Sequence, residues 1–188
     1  MVKEFQNEAN NTTAAAVTLA PYSPPDLQVT RVQIPERAVR GQNFDLSYTV
    51  KNFGGATPAL QSSWTDLVYF SRDEFLDIRS DRFLGSSDHG GGLGAGESYT
   101  VDRTFSVPND LATEAYYVFV VSDPARYGPR GSVYEGANEA NNARAGDLPM
   151  IIELPPPSDL EITDISIPGS GRRRLWGGAV LLVVGPDQ

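Results

Sequence analysis

The stretch "NFDLSYTVKNFG", Asn43 to Gly54, alternates strictly: Phe44, Leu46, Tyr48 and Val50 fall on one side, and Asp45, Ser47, Thr49 and Lys51 on the other. A period of two is the pattern of an antiparallel strand buried on one face and wet on the other. The pair Gly54-Gly55 ends it. Outward from this stretch, "ESYTVDRTFSVP" repeats the alternation, with Tyr99, Val101, Phe105 and Val107 on one face and Arg103 as the exception among them. "DLQVTRVQIP" places Leu27 and Val29 on one parity and, past Thr30, Val32 and Ile34 on the other. A switch near Arg31 suits a first strand with a bulge or a crossover between two sheets. "WTDLVYFS" (Trp64 to Ser71) and "AYYVFVVSD" (Ala115 to Asp123) are apolar on both faces, as central strands are, and "DLPMIIEL" closes the series.

Eighteen glycines and 14 prolines in 188 residues, with no sustained apolar run at helical spacing, point the same way. The expected fold is all-β, an immunoglobulin-like antiparallel β-sandwich of about seven strands. A closed barrel is the alternative. The formal charge of −9 argues against a nucleic-acid partner, which would need clustered Lys and Arg. Cysteine is absent, which excludes a disulfide framework, a thiolate metal site and a cysteine nucleophile. "MVKEFQNEANN" has no apolar core of the kind a signal peptide requires.

The chain repeats itself. "VKEFQNEANN" from Val2 returns as "VYEGANEANN" from Val133, 131 residues on, and "PPDLQVTRVQIP" ending at Pro35 returns as "PPSDLEITDISIP" ending at Pro168, 133 residues on. A unit of that length is a domain, far longer than a solenoid repeat. The expected organisation is the C-terminal end of a preceding module plus linker over 1–22, a complete module over 23–154, and a Pro-rich linker with a truncated or aberrant start of a following module over 155–188. Proline-rich "APYSPPD" and "ELPPPSD" mark the seams. The repeat stops near Pro168. The apolar run from Leu175 to Gly185 is short for a membrane span, so no membrane insertion is expected.

Taken together and in this order, "PDLQVTRVQIP", "SYTVKNFG", "WTDLVYFS", "LGAGESYTV", "YYVFVVSD" and "VYEGANEANN" resemble the cell-adhesion-related domain found in bacteria, the CARDB family, over roughly Pro25 to Leu154. The resemblance implies an immunoglobulin-like sandwich, usually in tandem, in large exported or surface-attached bacterial and archaeal proteins with adhesive or spacer roles. It implies no catalytic residues, an extracellular or cell-surface location, and neighbouring modules of the same chain as partners.

Two polar clusters remain as sites. In "SRDEFLDIRSDRFLG", Asp73, Asp77 and Asp81 recur every fourth residue and are candidate calcium ligands, since calcium takes six to eight oxygens. The spacing is not that of an EF-hand, and a solvated turn in which Asp side chains accept backbone N–H groups accounts for the same residues. The second cluster holds Asp123, Glu135, Asn138, Glu139, Asn141 and Asn142, and reads as a structural loop that turns the chain into its last strand, with a metal at the module junction as the sharper alternative. His89 lies in the glycine-rich "SSDHGGGLGAG", a poor setting for a positioned base, and adjacency of Ser87, Asp88 and His89 does not make a triad. No enzyme is expected. Trp64, Tyr69, Phe70, Tyr116, Tyr117 and Phe119 have strand periodicity and are expected in the core. If they instead lined an exposed face, the chain would be a carbohydrate-binding accessory module of an exported enzyme with a polysaccharide ligand.

Overall fold

Alternation of apolar side chains makes Asn43–Asn52 the spine of one sheet, and double-sided apolar runs make Ser63–Ser71 and Ala115–Val121 the centre of another. The computed structural model describes residues 13–19, 21–125, 130–157 and 159–166. In chain order the strands are β1 (Leu27–Gln33), β2 (Arg37–Val39), β3 (Asn43–Asn52), β4 (Ser63–Ser71), β5 (Arg82–Gly90), β6 (Ser98–Ser106), β7 (Ala115–Val121), β8 (Ala143–Ala145) and β9 (Met150–Glu153), with a 3-10 turn at Ala59–Gln61. One sheet has the order β1-β3-β6; the other runs β2-β9-β7-β4-β5, with β8 also on β7. All neighbours are antiparallel except β2 and β9. The fold is an all-β sandwich, and the barrel is not formed.

Nine strand segments among the described residues exceed the seven or so that the pattern suggests, for a physical reason. β1 has its register shift between Val29 and Arg31, where the apolar parity changes, and the chain then leaves this sheet at Pro35 and re-forms as β2 at the edge of the other. Proline cannot donate to a ladder, so it sits where the strand changes sheet. The short β2, with Ala38 as its single buried residue, carries too little periodicity to be read as a strand.

Leu27, Val29, Phe44, Leu46, Tyr48 and Val50 of the first sheet face Trp64, Val68, Phe70, Val118, Val120 and Ile152 of the second in one core cluster. The opposite face of the second sheet buries Leu67, Tyr69, Phe119 and Val121 as a separate cluster. This is why β4 and β7 are apolar on both sides.

The glycine-rich stretch divides in two: "SSDHG" belongs to β5, with Ser63 to Asp66 of β4 paired with Gly90 to Ser87, and the turn begins at Gly91, whose φ is 97°. Pairing with a central strand overrides the glycine content of the segment.

The strand directions set the poles. Asp26 lies beside the β3–β4 loop, where Phe53 N donates to Asp26 O and Gly55 N to Pro24 O, and beside the long β7–β8 loop. Glu153 lies at the opposite pole, its carbonyl accepting Arg40 N, next to the β6–β7 loop. The chain therefore enters the sandwich at one pole and leaves it at the other, a distance on the order of the roughly 34 Å spanned by the ten residues of β3.

Residues up to Pro155 form one compact unit, and a second begins at Pro156. In the second, residues 156–157 and 159–166 contain no strand, and Leu160, Ile162 and Ile165 are exposed. Their counterparts in the repeat, Leu27, Val29 and Val32, are buried in β1. The first copy of "NEANN" and the tail from Gly169 lie outside the described residues.

Candidate functional site

The β7–β8 loop is held by carboxylates. Immediately after β7, Asp123 adopts a left-handed conformation (φ 45°) and its two oxygens accept Ser132 N and Val133 N, each at 2.7 Å. Glu139 accepts Glu135 N at 2.9 Å and Gly131 N at 3.4 Å. Gly131 lies so close that a Cβ there would stand 2.2 Å from Asp123 O. Glu135 is completely buried (0% exposed), and its carboxylate accepts Leu27 N at 2.7 Å and Asn142 Nδ2 at 2.9 Å. Asn141 Nδ2 donates to Asp26 Oδ1 at 3.0 Å. Asn138 contributes its backbone, donating to Glu135 O and accepting from Asn141 N. The six polar residues thus form a clasp around the start of β1, 108 residues away in sequence between Leu27 and Glu135.

Burial pushes the Glu135 carboxyl up to about 7, assisted by Asp123 and Glu139, while the Leu27 N–H and Asn142 pull the other way. Asp123 is raised too, chiefly by burial, against its bonds from Val133 and Ser132. Every one of these carboxylates accepts an N–H from the fold itself, and Asp123 also engages the Ser132 side chain. The arrangement fixes chain.

A second buried carboxylate lies between the sheets. Asp66 (1% exposed) accepts Tyr48 OH at 2.9 Å and Tyr99 OH at 2.8 Å, and Trp64 Nε1 donates to Tyr99 OH at 3.0 Å. Burial raises Asp66, and the hydroxyls of Ser122, Tyr99 and Tyr48 oppose that. The His89 ring stacks on Tyr99 with centroids 3.9 Å apart and lies 4.3 Å from Trp64. Ser87 accepts Arg103 Nε, Asp88 accepts Thr65 Oγ1, and His89 Nε2 reaches Gly92 O, so the three neighbours engage three different partners. Sequence reading missed this network. Its signal was parity: Asp66 shares the inward parity of Trp64, Val68 and Phe70.

The acidic loop between β4 and β5 is a chain of local turns. Asp73 accepts Phe75 N, Asp77 accepts Arg79 N and the Ser80 hydroxyl, and Asp81 accepts Asp77 N. The Arg79 N–H and Ser80 hydroxyl hold the Asp77 carboxyl below its ordinary range. Among the described residues, no group of three or more His, Asp or Glu side chains is arranged to hold a metal ion. Trp64, Tyr69, Phe70, Tyr116 and Phe119 are buried; Tyr117 is half-buried and donates to Glu74. Among the described residues no helix is long and apolar enough to cross a membrane.

Among solved structures, the CARDB domain of a Pyrococcus furiosus protein, crystallised in complex with di-metal ions, is 17% identical, covers 76% of this chain and 100% of that one, and superposes with a TM-score of 0.48. The β-glucosidase of Listeria innocua in complex with isofagomine is 16% identical over 70% of this chain and 16% of its own, with a TM-score of 0.40. The superoxide reductase of Ignicoccus hospitalis is 12% identical over 68% and 82%, at 0.38. No curated protein matches the chain. The CARDB family model matches residues 24–146, most of the sandwich from the linker into β1 through to β8 and the Gly146 that follows it. The chain belongs to the CARDB family.

Proposed function

We propose that this adhesion-related sandwich acts as a non-catalytic spacer module in a longer, exported or surface-attached protein, joined in line to modules of the same kind. The observation that carries the reading is the route of the chain, in at Asp26 at one pole and out at Glu153 at the other. Inlet and outlet at opposite ends make each added module lengthen the molecule. The proline-rich seams support the same reading, because "LPPP" extends and stiffens the link. So does the clasp: Asp123, Glu135 and the "NEANN" amides lock the loop beside the inlet onto β1, where an axial pull is applied.

The test is small-angle scattering on proteins with one, two and three sandwiches joined by the native linker. The largest dimension is expected to grow by a constant step of roughly 35–45 Å per module. A dimension that stops growing at two modules overturns the reading. For polysaccharide binding, five of the six aromatic residues that would form a sugar platform are buried and Tyr117 is half-buried, so no retention is expected in affinity electrophoresis against a polysaccharide panel.

A further inference from the structure

Asp123 has two features that the spacer reading does not use. Among the described residues it is the only non-glycine residue with a positive φ (45°), and proline follows it, the sole Asp-Pro bond in the chain. Sterics leave such a φ sparsely populated for a residue with a Cβ, and a following proline restricts the residue before it further, towards extended values. Asp123 is held there from both sides. Ser122 N donates to Asn142 O at 3.0 Å, and Ser132 N and Val133 N donate to the Asp123 carboxylate at 2.7 Å each. A Cβ on Gly131 would stand 2.2 Å from Asp123 O and 2.3 Å from Asp123 Oδ2, so one glycine packs against the main-chain carbonyl and the carboxyl together. The two groups therefore lie on the same side of the residue. Strain of this kind persists only where the surrounding structure imposes it. Asp123 is buried, Pro124 half-buried and Ala125 exposed, so the chain surfaces at this bond.

No cation offsets the buried carboxyl. Asp123 is in no ion pair among the described residues, the charged groups that bear on it are Glu135 and Glu139, and the Arg130 guanidinium lies over the Tyr134 ring. Burial outweighs the two N–H bonds and raises the carboxyl, so its acid form is present where an exposed aspartate is ionised.

We propose that the Asp123–Pro124 bond is a self-cleavage site, at which the fold holds the Asp123 carboxyl beside its own strained main-chain carbonyl. The acid form supplies both the nucleophile and the proton. A carboxyl oxygen bonds to the main-chain carbonyl carbon, the carboxyl proton passes to Pro124 N, and the C–N bond breaks. This leaves a cyclic anhydride on Asp123 and a free secondary amine at Pro124, and one water then opens the anhydride to two carboxyls. The net reaction is hydrolysis of one peptide bond. Proline suits the leaving side because its tertiary amide nitrogen is more readily protonated than that of an ordinary peptide.

The cleavage stands apart from the spacer reading, and its consequence rests on that reading. The covalent path from inlet to outlet runs through this bond. After cleavage, β8 and β9 keep their places only through pairing with β7 and β2 and through the Glu135 clasp on Leu27. Acid thus turns a covalent link of the array into one that a pull can release.

The experiment is incubation of the full chain at about pH 5 and about pH 7.5, in buffer and in about 6 M guanidinium, read by intact mass, with near-UV circular dichroism confirming the fold in buffer. Pieces 1–123 and 124–188 are expected at the lower pH, at least about tenfold faster in buffer than in guanidinium, because only the folded chain imposes the geometry and the raised carboxyl. At the higher pH the acid form is scarce and the rate falls. Asp123→Asn removes the acid and Pro124→Ala the tertiary amide, and each is expected to slow cleavage at least about tenfold. Pro124→Ala keeps the carboxylate that holds the loop, so it decides the matter if Asp123→Asn does not fold. On native gel filtration the two pieces are expected to elute together. A chain that stays intact at the lower pH overturns the proposal, as does cleavage as fast in guanidinium as in buffer, or cleavage indifferent to Pro124→Ala. Cleavage together with tandem proteins that stop lengthening overturns the spacer reading and leaves the site standing; an intact chain together with tandem proteins that lengthen step by step does the reverse.

Discussion

Glu135 is the residue on which most of the local structure converges, since its carboxylate receives the first N–H of β1 and the side chain of Asn142 in a site with no exposure. Its carboxyl is raised from 4.5 to about 7, so in the window between these values the folded chain holds a proton that the unfolded chain has lost. Its contribution to stability is full below about pH 4.5 and is lost as pH rises through about 7. Glu135→Gln keeps the acceptor and removes the titration, and denaturant unfolding from pH 4.5 to 8 is expected to lose a downward slope worth at most about 3 kcal/mol. A variant with the wild-type slope would show that another group carries it. Asp66 is the shared acceptor of two tyrosine hydroxyls, of which Tyr99 also reaches Ser122 Oγ at 3.4 Å. Asp66→Ala removes that shared acceptor, a loss of about 3 kcal/mol, whereas Tyr48→Phe removes one partner and costs about 1 kcal/mol. Thermal melts should separate the two by several degrees.

Among the elements, the β4–β5 loop poses the sharpest alternative. Asp73, Asp77 and Asp81 each spend an oxygen on a backbone N–H of the same loop, which orders the turn without bringing three carboxylates to one point. The expected result is an equal melting temperature in millimolar calcium and in excess chelator, for wild type and for Asp77→Ala. A bound ion at about 100 times its dissociation constant would add roughly 2.7 kcal/mol, so a rise of several degrees that Asp77→Ala abolishes would establish a calcium site. β1 illustrates a different lesson. "DLQVTRVQIP" and "DLEITDISIP" share a pattern, yet the first contains a strand and the described part of the second, 159–166, does not. What the first has is a partner, β3 and the Glu135 clasp, whereas residues 159–166 form no strand.

At the scale of the molecule, that contrast predicts where the chain is cut. Leu160 is 92% exposed in a segment with no ladder to protect its backbone, whereas the apolar residues of β3, β4 and β7 are paired and buried. Limited thermolysin digestion is expected to cleave first beside Leu160 or Ile162, leaving a fragment that contains the whole sandwich, as read by intact mass. Early cuts within β3 or β7 would contradict the assigned core.

The sequence alone determined an all-β fold, because a period of two in Asn43–Asn52 and double-sided apolar runs in β4 and β7 are imposed by pleated strands with one or two buried faces, whatever their neighbours; the split into two sheets, a sandwich and not a barrel, was decided by the tertiary structure. The same local periodicity made the bulge near Arg31 legible and put Trp64, Phe70 and Tyr116 in the core. Which carboxylates matter was not legible, since Glu135 is one acid among several in a polar loop until the fold sets Leu27 against it. Asp66 was hidden likewise, its two tyrosine partners lying on strands of the opposite sheet, 18 and 33 residues away. Only the tertiary structure placed His89 in β5 and sent the chain out at the pole opposite its inlet, because both depend on pairings between distant strands that no local pattern encodes.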